Sequence, residues 1–212
     1  MAKSEAQRQK RLMKKRQKDR ARKQRVEEFI PFAMLSPKKK IHQARAYPIH
    51  ECLINASWQE SGLATLLISR RQPDGDLLFG VYLVDIFCLG LKNTFCNVDF
   101  STSSYRMDVV RKSFSDQDSI PCSVELAHHV IYGAIAYAEQ FGFRPNKDYQ
   151  LSQYILDVPE NFPPSELEFG RNGKPYFIAG PDDNIAKITH QLESAVGRDH
   201  YDSQFLVDPT NT

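Results

Sequence analysis

The clearest hydrophobic pattern of the chain lies in residues 63–91, where two apolar runs flank a short polar segment. Residues 64–69 and 77–87 are rich in aliphatic, β-branched and aromatic side chains, which suit the pleated and buried surface of a strand. Between them, Pro73-Asp74-Gly75-Asp76 supplies a fixed φ at the proline and a residue free to adopt positive φ at the glycine. We therefore predict a β-hairpin, around which the rest of the domain is organised.

Helical periodicity is strongest in residues 123–142. Ser123 suits the N-cap, Glu125 suits the positive end of the helix dipole, and Gly142 ends the pattern. The apolar residues that recur at helical spacing are Leu126, Val130, Ala134, Ala138 and Phe141. This pattern predicts the main helix of the domain.

Weaker patterns predict the remaining elements. Shorter helices are predicted at residues 41–46, 48–54, 105–114, 146–156 and 183–196, the last with Asp182 or Asp183 as its cap. Residues 91–98 extend the sheet, and residues 167–179 form a second hairpin around Asn172-Gly173. The sequence thus predicts an α+β fold, in which an antiparallel sheet built from β-hairpins carries helices on one face.

The charged residues are segregated along the chain. The sequence contains 28 Lys and Arg and 26 Asp and Glu, a formal net charge of +2. Residues 1–40 hold 15 of the basic and four of the acidic residues, a net charge of +11, which leaves −9 on the other 172 residues. We predict a basic, largely disordered arm and linker at residues 1–40, a single α+β domain at 41–200, and a short C-terminal tail at 201–212.

The basic arm is the strongest functional signal of the sequence. Clustered Lys and Arg neutralise phosphates and release counterions with little dependence on base sequence, and the arm becomes helical readily once an anion neutralises it. It lacks aromatic anchors for a membrane, so RNA or the ribosome is the expected partner, with DNA as a second choice. The other interpretation is a solvated tail, or an arm that folds back on the acidic body. The residues predicted to contact nucleic acid are Arg8, Lys10, Arg11, Lys14, Lys15, Arg16, Lys18, Arg20, Arg22, Lys23 and Arg25.

Several protein classes are disfavoured by composition. No run of about 18 apolar residues is present, and no secretory signal or presequence is recognisable, so a cytoplasmic protein is expected. Cys52, Cys88, Cys96 and Cys122 form no Cys-x-x-Cys pair, which favours reduced core thiols over a zinc site or a disulfide framework. The glycines form neither a dinucleotide-binding motif nor a P-loop, so no cofactor is expected.

Asp85 is the most unusual residue of the predicted hairpin, because it shares a strand face with Val81, Leu83 and Phe87. A carboxylate in such a position needs a partner. One interpretation is a general base or a metal ligand. The favoured interpretation is that Asp85 reaches the sheet edge, where it caps a turn or pairs with Arg70 or Arg71.

His50, Glu51, His128 and His129 complete the candidate catalytic residues. Imidazole titrates near neutrality and carboxylates bind hard cations, so these residues and Asp85 would suit a metal- or His-dependent phosphodiester hydrolase if they converged. No His-Glu-x-x-His or comparable spacing supports a metal site. Each histidine taken singly is better explained as a core or surface residue.

Two segments carry a resemblance to other proteins. Residues 80–95 read GVYLVDIFCLGLKNTF, and residues 126–143 read LAHHVIYGAIAYAEQFGF. Together with the basic start, they resemble a group of uncharacterised bacterial proteins over roughly residues 42–156. The resemblance implies a bacterial cytoplasmic protein and implies no activity or catalytic residue.

Three hypotheses for function follow from the sequence. The favoured one is a nucleic-acid-binding protein that attaches to RNA or a ribonucleoprotein through its arm, with the acidic body available to a protein partner. The second is a nuclease or hydrolase whose site contains His, Asp and Glu. The third is a protein–protein interaction module of a toxin–antitoxin or defence system.

Overall fold

The structure, a computed structural model, describes residues 9–19, 31–163 and 165–205. The chain divides into two compact units, residues 1–36 and 37–212. In the first unit, residues 9–19 form a helix, here called α1, and Phe32–Met34 form a 3₁₀ turn. The second unit, here called the body, contains a five-stranded and a two-stranded sheet. Residues 37–40 of the predicted linker belong to the first helix of the body, in which Lys40 is buried and donates to Asp99 at 2.6 Å.

The large sheet is antiparallel, with the strand order β4-β3-β2-β1-β5. Its strands are β1 (Ile49–Asn55), β2 (Leu63–Arg71), β3 (Leu77–Asp85), β4 (Gly90–Phe100) and β5 (Ser119–Pro121). The predicted hairpin is confirmed as β2 and β3, which pair from Leu63↔Asp85 to Arg71↔Leu77. Gly75 takes a φ of +93° in the turn between them. The α+β class and the antiparallel sheet are therefore confirmed.

The predicted main helix is present. The helices of the body are α2 (Pro37–His42), α3 (Trp58–Ser61), α4 (Thr102–Ser104), α5 (Arg111–Ser113), α6 (Val124–Glu139), α7 (Tyr149–Ser152) and α8 (Ile185–Val196), and a π-helical turn, Tyr105–Val110, joins α4 to α5. The Ser123 hydroxyl caps α6 by accepting a hydrogen bond from the Leu126 amide. Asn184, rather than Asp182 or Asp183, caps α8. The helix predicted at residues 146–156 is confined to α7.

The helix predicted at residues 48–54 is wrong, because this segment forms β1. Leu53 packs into a cluster on one face of the sheet, and the buried neighbours Cys52 and Ile54 point to the other face. The Cys52–Ile54 segment is buried on both faces, so it is an apolar run without the polar–apolar alternation of a half-exposed strand. Periodicity alone does not distinguish such a run from a buried helix.

The second predicted hairpin is also wrong. Asn172 and Gly173 have φ values of 53° and 76°, as a type I′ turn requires, but only Arg171 and Lys174 pair across this turn. The Tyr176 amide donates instead to the Phe87 carbonyl. β6 (Tyr176–Ile178) pairs in parallel with β7 (Asp202–Gln204), which lies in the segment assigned to the tail.

Different helices cover the two faces of the large sheet. On one face, here called the front face, Leu67 and Val81 pack with Tyr105 and Val109 of the π-helical turn. On the opposite, back face, the Tyr82 hydroxyl donates to the Ser152 carbonyl of α7 at 2.9 Å. The main helix α6 also lies on the back face, where its His128 bonds to the segment that follows α7.

Arg70 is a buried cation on the back face, with 3% of its surface exposed. Its guanidinium donates to the Ile155 and Tyr47 carbonyls at 2.7 and 2.8 Å, and to the Asp157 carboxylate at 2.7 Å. The planar guanidinium presents its donors in a fixed fork, so one side chain satisfies three acceptors from separate segments. Arg70 thereby joins β2 to the chain before β1 and to the chain after α7.

We expect Arg70→Met to lower the free energy of unfolding by about 3 kcal/mol, because it leaves a partly buried carboxylate and two carbonyls without their donor. Urea titration of both proteins measures the loss. Lys112→Met is the matched control. Its ion pair with Asp108 is exposed, and its removal should change stability by less than about 0.5 kcal/mol. Equal losses in the two variants would contradict a structural role for Arg70.

Candidate functional site

The basic helix α1 displays its cations to solvent along its whole length. Residues 9–19 are all exposed, and six of them are basic against one acid, Asp19. Lys10, Lys14 and Lys18 follow one another at a spacing of four residues, which puts them on one side of a helix. Like charges at this spacing repel, and an anion bound beside them relieves the repulsion. Arg8, Arg20, Arg22, Lys23 and Arg25 of the predicted set lie outside the described residues.

In the body, His50 and Glu51 lie at an irregularity of β1. The pairing of β1 with β2 shifts between Ile49↔Arg70 and Glu51↔Ser69, so that His50 is an extra residue in a β-bulge. A bulge re-aims the side chains around it, and bulges are over-represented next to active sites. Glu51 shares the front face with Leu53 and lies beneath the π-helical turn, where its carboxylate pairs with Arg106 at 3.1 Å.

Six residues form what we call the front-face cluster: His50, Glu51, Ser69, Arg71, Tyr105 and Arg106. Three of its atoms, His50 Nε2, Glu51 Oε1 and the Tyr105 hydroxyl, are buried without a hydrogen-bond partner. In the described part of the chain these are the three buried side-chain polar atoms in that condition. Ser69 and Glu51 act on the pKa of Tyr105 as close neighbours, but neither makes an aligned hydrogen bond with its hydroxyl. Unsatisfied buried groups are rare in proteins and cluster at strained or functional places.

The tautomer of His50 follows from its partner. Its Nδ1 lies 3.1 Å from Nη2 of Arg71, and a guanidinium can only donate, so Nδ1 accepts and a neutral ring carries its proton on Nε2. Burial lowers the pKa of His50, and the Arg71 charge lowers it further. The cluster therefore offers a donor at His50, an acceptor at Glu51 and a hydroxyl at Tyr105 that serves as either. This set can hold a small polar group or pass a proton.

Asp85 ends β3 and caps the turn that follows. One carboxylate oxygen accepts hydrogen bonds from the amides of Phe87 and Cys88, both at 2.9 Å. Burial raises the pKa of Asp85 to about 6, although these two amides and Lys92 oppose the rise. The expected turn cap is therefore present, whereas Arg70 pairs with Asp157 and Arg71 bonds to the Gly75 carbonyl.

His128 and His129 lie on α6. His128 is fully buried; its Nε2 accepts the Asp157 amide at 2.7 Å, and its Nδ1 donates to the Val124 carbonyl at 2.6 Å. Both nitrogens of His128 are thus engaged in the neutral ring, and burial lowers its pKa. His129 bonds through Nε2 to the Pro163 carbonyl at 2.9 Å.

The five candidate residues do not form one constellation. His50 and Glu51 belong to the front-face cluster, His128 and His129 to the helix on the back face, and Asp85 to the end of β3. Across the described ranges, no group of three His, Cys, Asp or Glu side chains is placed to hold a metal ion. Sequence reasoning missed Ser69, Arg71, Tyr105 and Arg106, because no spacing links β2 to the segment after β4.

An apolar groove also lies on the front face, beside the π-helical turn. It encloses about 460 Å³ and is lined largely by Phe79, Phe95 and Phe100, with Asn97 and Lys112 among its polar residues. The rings of Phe95 and Phe100 stand nearly perpendicular to that of Phe79, and Phe95 is 51% exposed. Its size is typical of small-molecule sites, and its lining suits an apolar or aromatic group.

Comparisons with known protein families, curated proteins and solved structures give no match. Within the described residues, no helix has both the length and the apolar character needed to cross a membrane.

Tyr105→Phe tests whether the front-face hydroxyl is unsatisfied. Removing an unpaired buried hydroxyl should leave the free energy of unfolding within about 0.5 kcal/mol of the original or raise it. Tyr82→Phe is the control, because Tyr82 is equally buried and its hydroxyl is bonded; its loss should cost about 1–2 kcal/mol. Chemical denaturation measures both. A loss of that size in Tyr105→Phe would show that the hydroxyl has a partner.

Asp85→Asn should remove a specific dependence of stability on pH. The folded chain keeps the Asp85 proton up to about pH 6, whereas the ordinary pKa is 3.8, so the folded state binds more protons between these values. The free energy of unfolding should therefore fall by up to about 3 kcal/mol as the pH rises from about 4 to about 6. Asparagine can still accept both amides and does not titrate.

Denaturation curves of Asp85→Asn and of the exposed control Asp118→Asn across this pH range measure the effect. The Asp118 variant should keep the original slope. If the free energy of unfolding of Asp85→Asn keeps the same dependence on pH, that dependence arises from other groups.

Proposed function

We propose that the protein binds nucleic acid through α1, with RNA or a ribonucleoprotein of a bacterial cytoplasm as its target. The observation that carries the proposal is the concentration of six exposed cations on eleven helical residues. A helix of that length spans about 16 Å, a distance over which a nucleic-acid backbone presents several phosphates. Contacts of this kind need charge and reach, and they need no fixed pocket.

The composition of α1 favours a polyanion in water over a membrane surface. Its exposed apolar residues are Leu12 and Met13, and residues 9–19 contain no aromatic residue. A membrane-surface helix needs a broad apolar face opposite its charges. At 100° per residue, the basic residue Arg16 lies between Leu12 and Met13 around α1, so the two apolar residues form no such face.

The body differs from the first unit in the sign of its net charge. Residues 37–212 hold 16 basic and 22 acidic residues, so the excess of positive charge is confined to the first unit. An acidic surface repels phosphates and is open to a protein partner. We assign affinity for nucleic acid to α1 and partner binding to the body.

The experiment replaces Lys10, Arg11, Lys14, Lys15, Arg16 and Lys18 by Gln in the full chain, and measures binding of labelled single-stranded RNA, single-stranded DNA and duplex DNA at several salt concentrations. If all six cations contact phosphates, the slope of log affinity against log salt should become shallower by about 4 for a single strand. The matched control neutralises six exposed basic residues of the body, Arg111, Lys112, Arg144, Lys147, Lys187 and Arg198, and should keep the original slope.

Three results would overturn the proposal. An unchanged slope in the α1 variant would remove α1 from the interface. Cleavage of the labelled RNA that disappears in His50→Ala would favour a hydrolase centred on the front-face cluster. A stoichiometric protein complex that forms without any affinity for nucleic acid would favour an interaction module.

A further inference from the structure

Cys52 and Cys122 are neighbours across the edge of the large sheet. β1 pairs with β5 in the register Leu53↔Pro121 and Ile54↔Ile120, and one further step along the same register puts Cys52 opposite Cys122. The Cys122 amide donates to the Cys52 carbonyl at 3.1 Å, so one backbone hydrogen bond of the ladder extends to this pair.

The register of the pair is compatible with the geometry of a disulfide. Residues that face each other at a hydrogen-bonded site of an antiparallel ladder have their α-carbons about 5.5 Å apart, and their side chains point to the same face. Disulfides join α-carbons that are about 4.4–6.8 Å apart. The electrostatic effect of Cys122 on Cys52 is second only to burial among the causes that raise the pKa of Cys52, which agrees with close thiols.

The other cysteines lack such a neighbour. Cys96 of β4 faces Gly80 across the ladder, and Cys88 packs among Leu89, Phe141 and Phe177. The exposure of the pair is also asymmetric, since Cys122 is half-buried whereas Cys52 is 5% exposed. A small oxidant therefore reaches Cys122 first.

We propose that Cys52 and Cys122 are a site of reversible oxidation, which closes to an intramolecular cross-strand disulfide by exchange with a low-molecular-weight disulfide such as glutathione disulfide. The Cys122 thiolate attacks the glutathione disulfide, forms a mixed disulfide and releases one glutathione thiolate. The Cys52 thiolate then attacks the Cys122 sulfur and releases the second glutathione. Two protein thiols are oxidised, two glutathione molecules are produced, and the protein loses two hydrogens.

The bond would crosslink β5, the shortest strand of the large sheet, to β1. β5 pairs with β1 over three residues and lies at an edge, and its Ile120 is 44% exposed. A crosslink between residues 52 and 122 closes a long loop of chain, which restricts the unfolded state. Oxidation should raise the midpoint of thermal unfolding by roughly 5–15 °C.

The test incubates the reduced full-length protein for hours at pH 8.5 with glutathione disulfide, and in parallel with diamide. The long incubation is needed because burial raises the pKa of Cys122 to about 11 and slows the first attack. Free thiols are then alkylated in denaturant and the digested protein is analysed by mass spectrometry. The expected product has two alkylated cysteines, Cys88 and Cys96, and a peptide pair that joins Cys52 to Cys122.

Two variants sharpen the test. Cys96→Ser, whose cysteine is also half-buried, should form the bond and show the same thermal shift as the original chain. Cys122→Ser should form no intramolecular bond and show no shift. Four alkylated cysteines with both oxidants, or a glutathione adduct that persists on Cys122, would overturn the proposal, as would an equal yield of a pair involving Cys88 or Cys96.

Discussion

The body depends on a chain of partly buried hydrogen bonds that starts at the guanidinium of Arg70. Arg70 holds the Asp157 carboxylate, and the Asp157 amide in turn donates to Nε2 of His128 in the main helix. Through these two bonds, a strand, a loop and a helix are joined across the back face of the sheet. Nε2 of His128 accepts this amide and Nδ1 donates to the Val124 carbonyl. Because both ring nitrogens are engaged, His128 has no free nitrogen for acid–base chemistry. His128 therefore contributes to the stability of the fold and is not available for acid–base chemistry.

The front face shows the opposite outcome. A β-bulge places an extra residue, His50, beside Glu51, and the covering segment passes over them as a π-helical turn rather than as an α-helix. Both irregularities displace side chains from the positions that regular pairing would give them. The result is that His50, Glu51 and Tyr105 meet without aligned hydrogen bonds to one another, beside an apolar cluster that includes Leu53, Leu67 and Val81. On the back face the buried polar groups named above are hydrogen-bonded, whereas on the front face these three buried polar atoms have no partner.

The elements that carry local sequence signals could be predicted from the sequence alone. The hairpin has its proline and glycine turn, α6 has a serine cap and a helical stripe, and α8 has its amphipathic face. β1 was missed because its burial on both faces hides the alternation of a strand. The second hairpin was missed because its turn forms but its strand residues bond elsewhere, to the Ile86 and Phe87 carbonyls. Local propensity is outweighed in both cases by partners that are distant in sequence.

The candidate site was predictable only in part for the same reason. His50-Glu51 stands out in the sequence, but Tyr105 and Arg106 reach it from a segment about fifty residues later, and only the pairing of β1 with β2 supplies Ser69 and Arg71. The segregation of charge, by contrast, is a property of composition and needs no fold. The proposed attachment to a polyanion through α1 and the arrangement of the front-face cluster therefore rest on different physical grounds. The cations of α1 are exposed to solvent, whereas the unpaired atoms of the cluster are buried beneath the π-helical turn. The three unpaired atoms are a cost of this arrangement, and the apolar packing of Tyr105 and Val109 in the same segment offsets that cost.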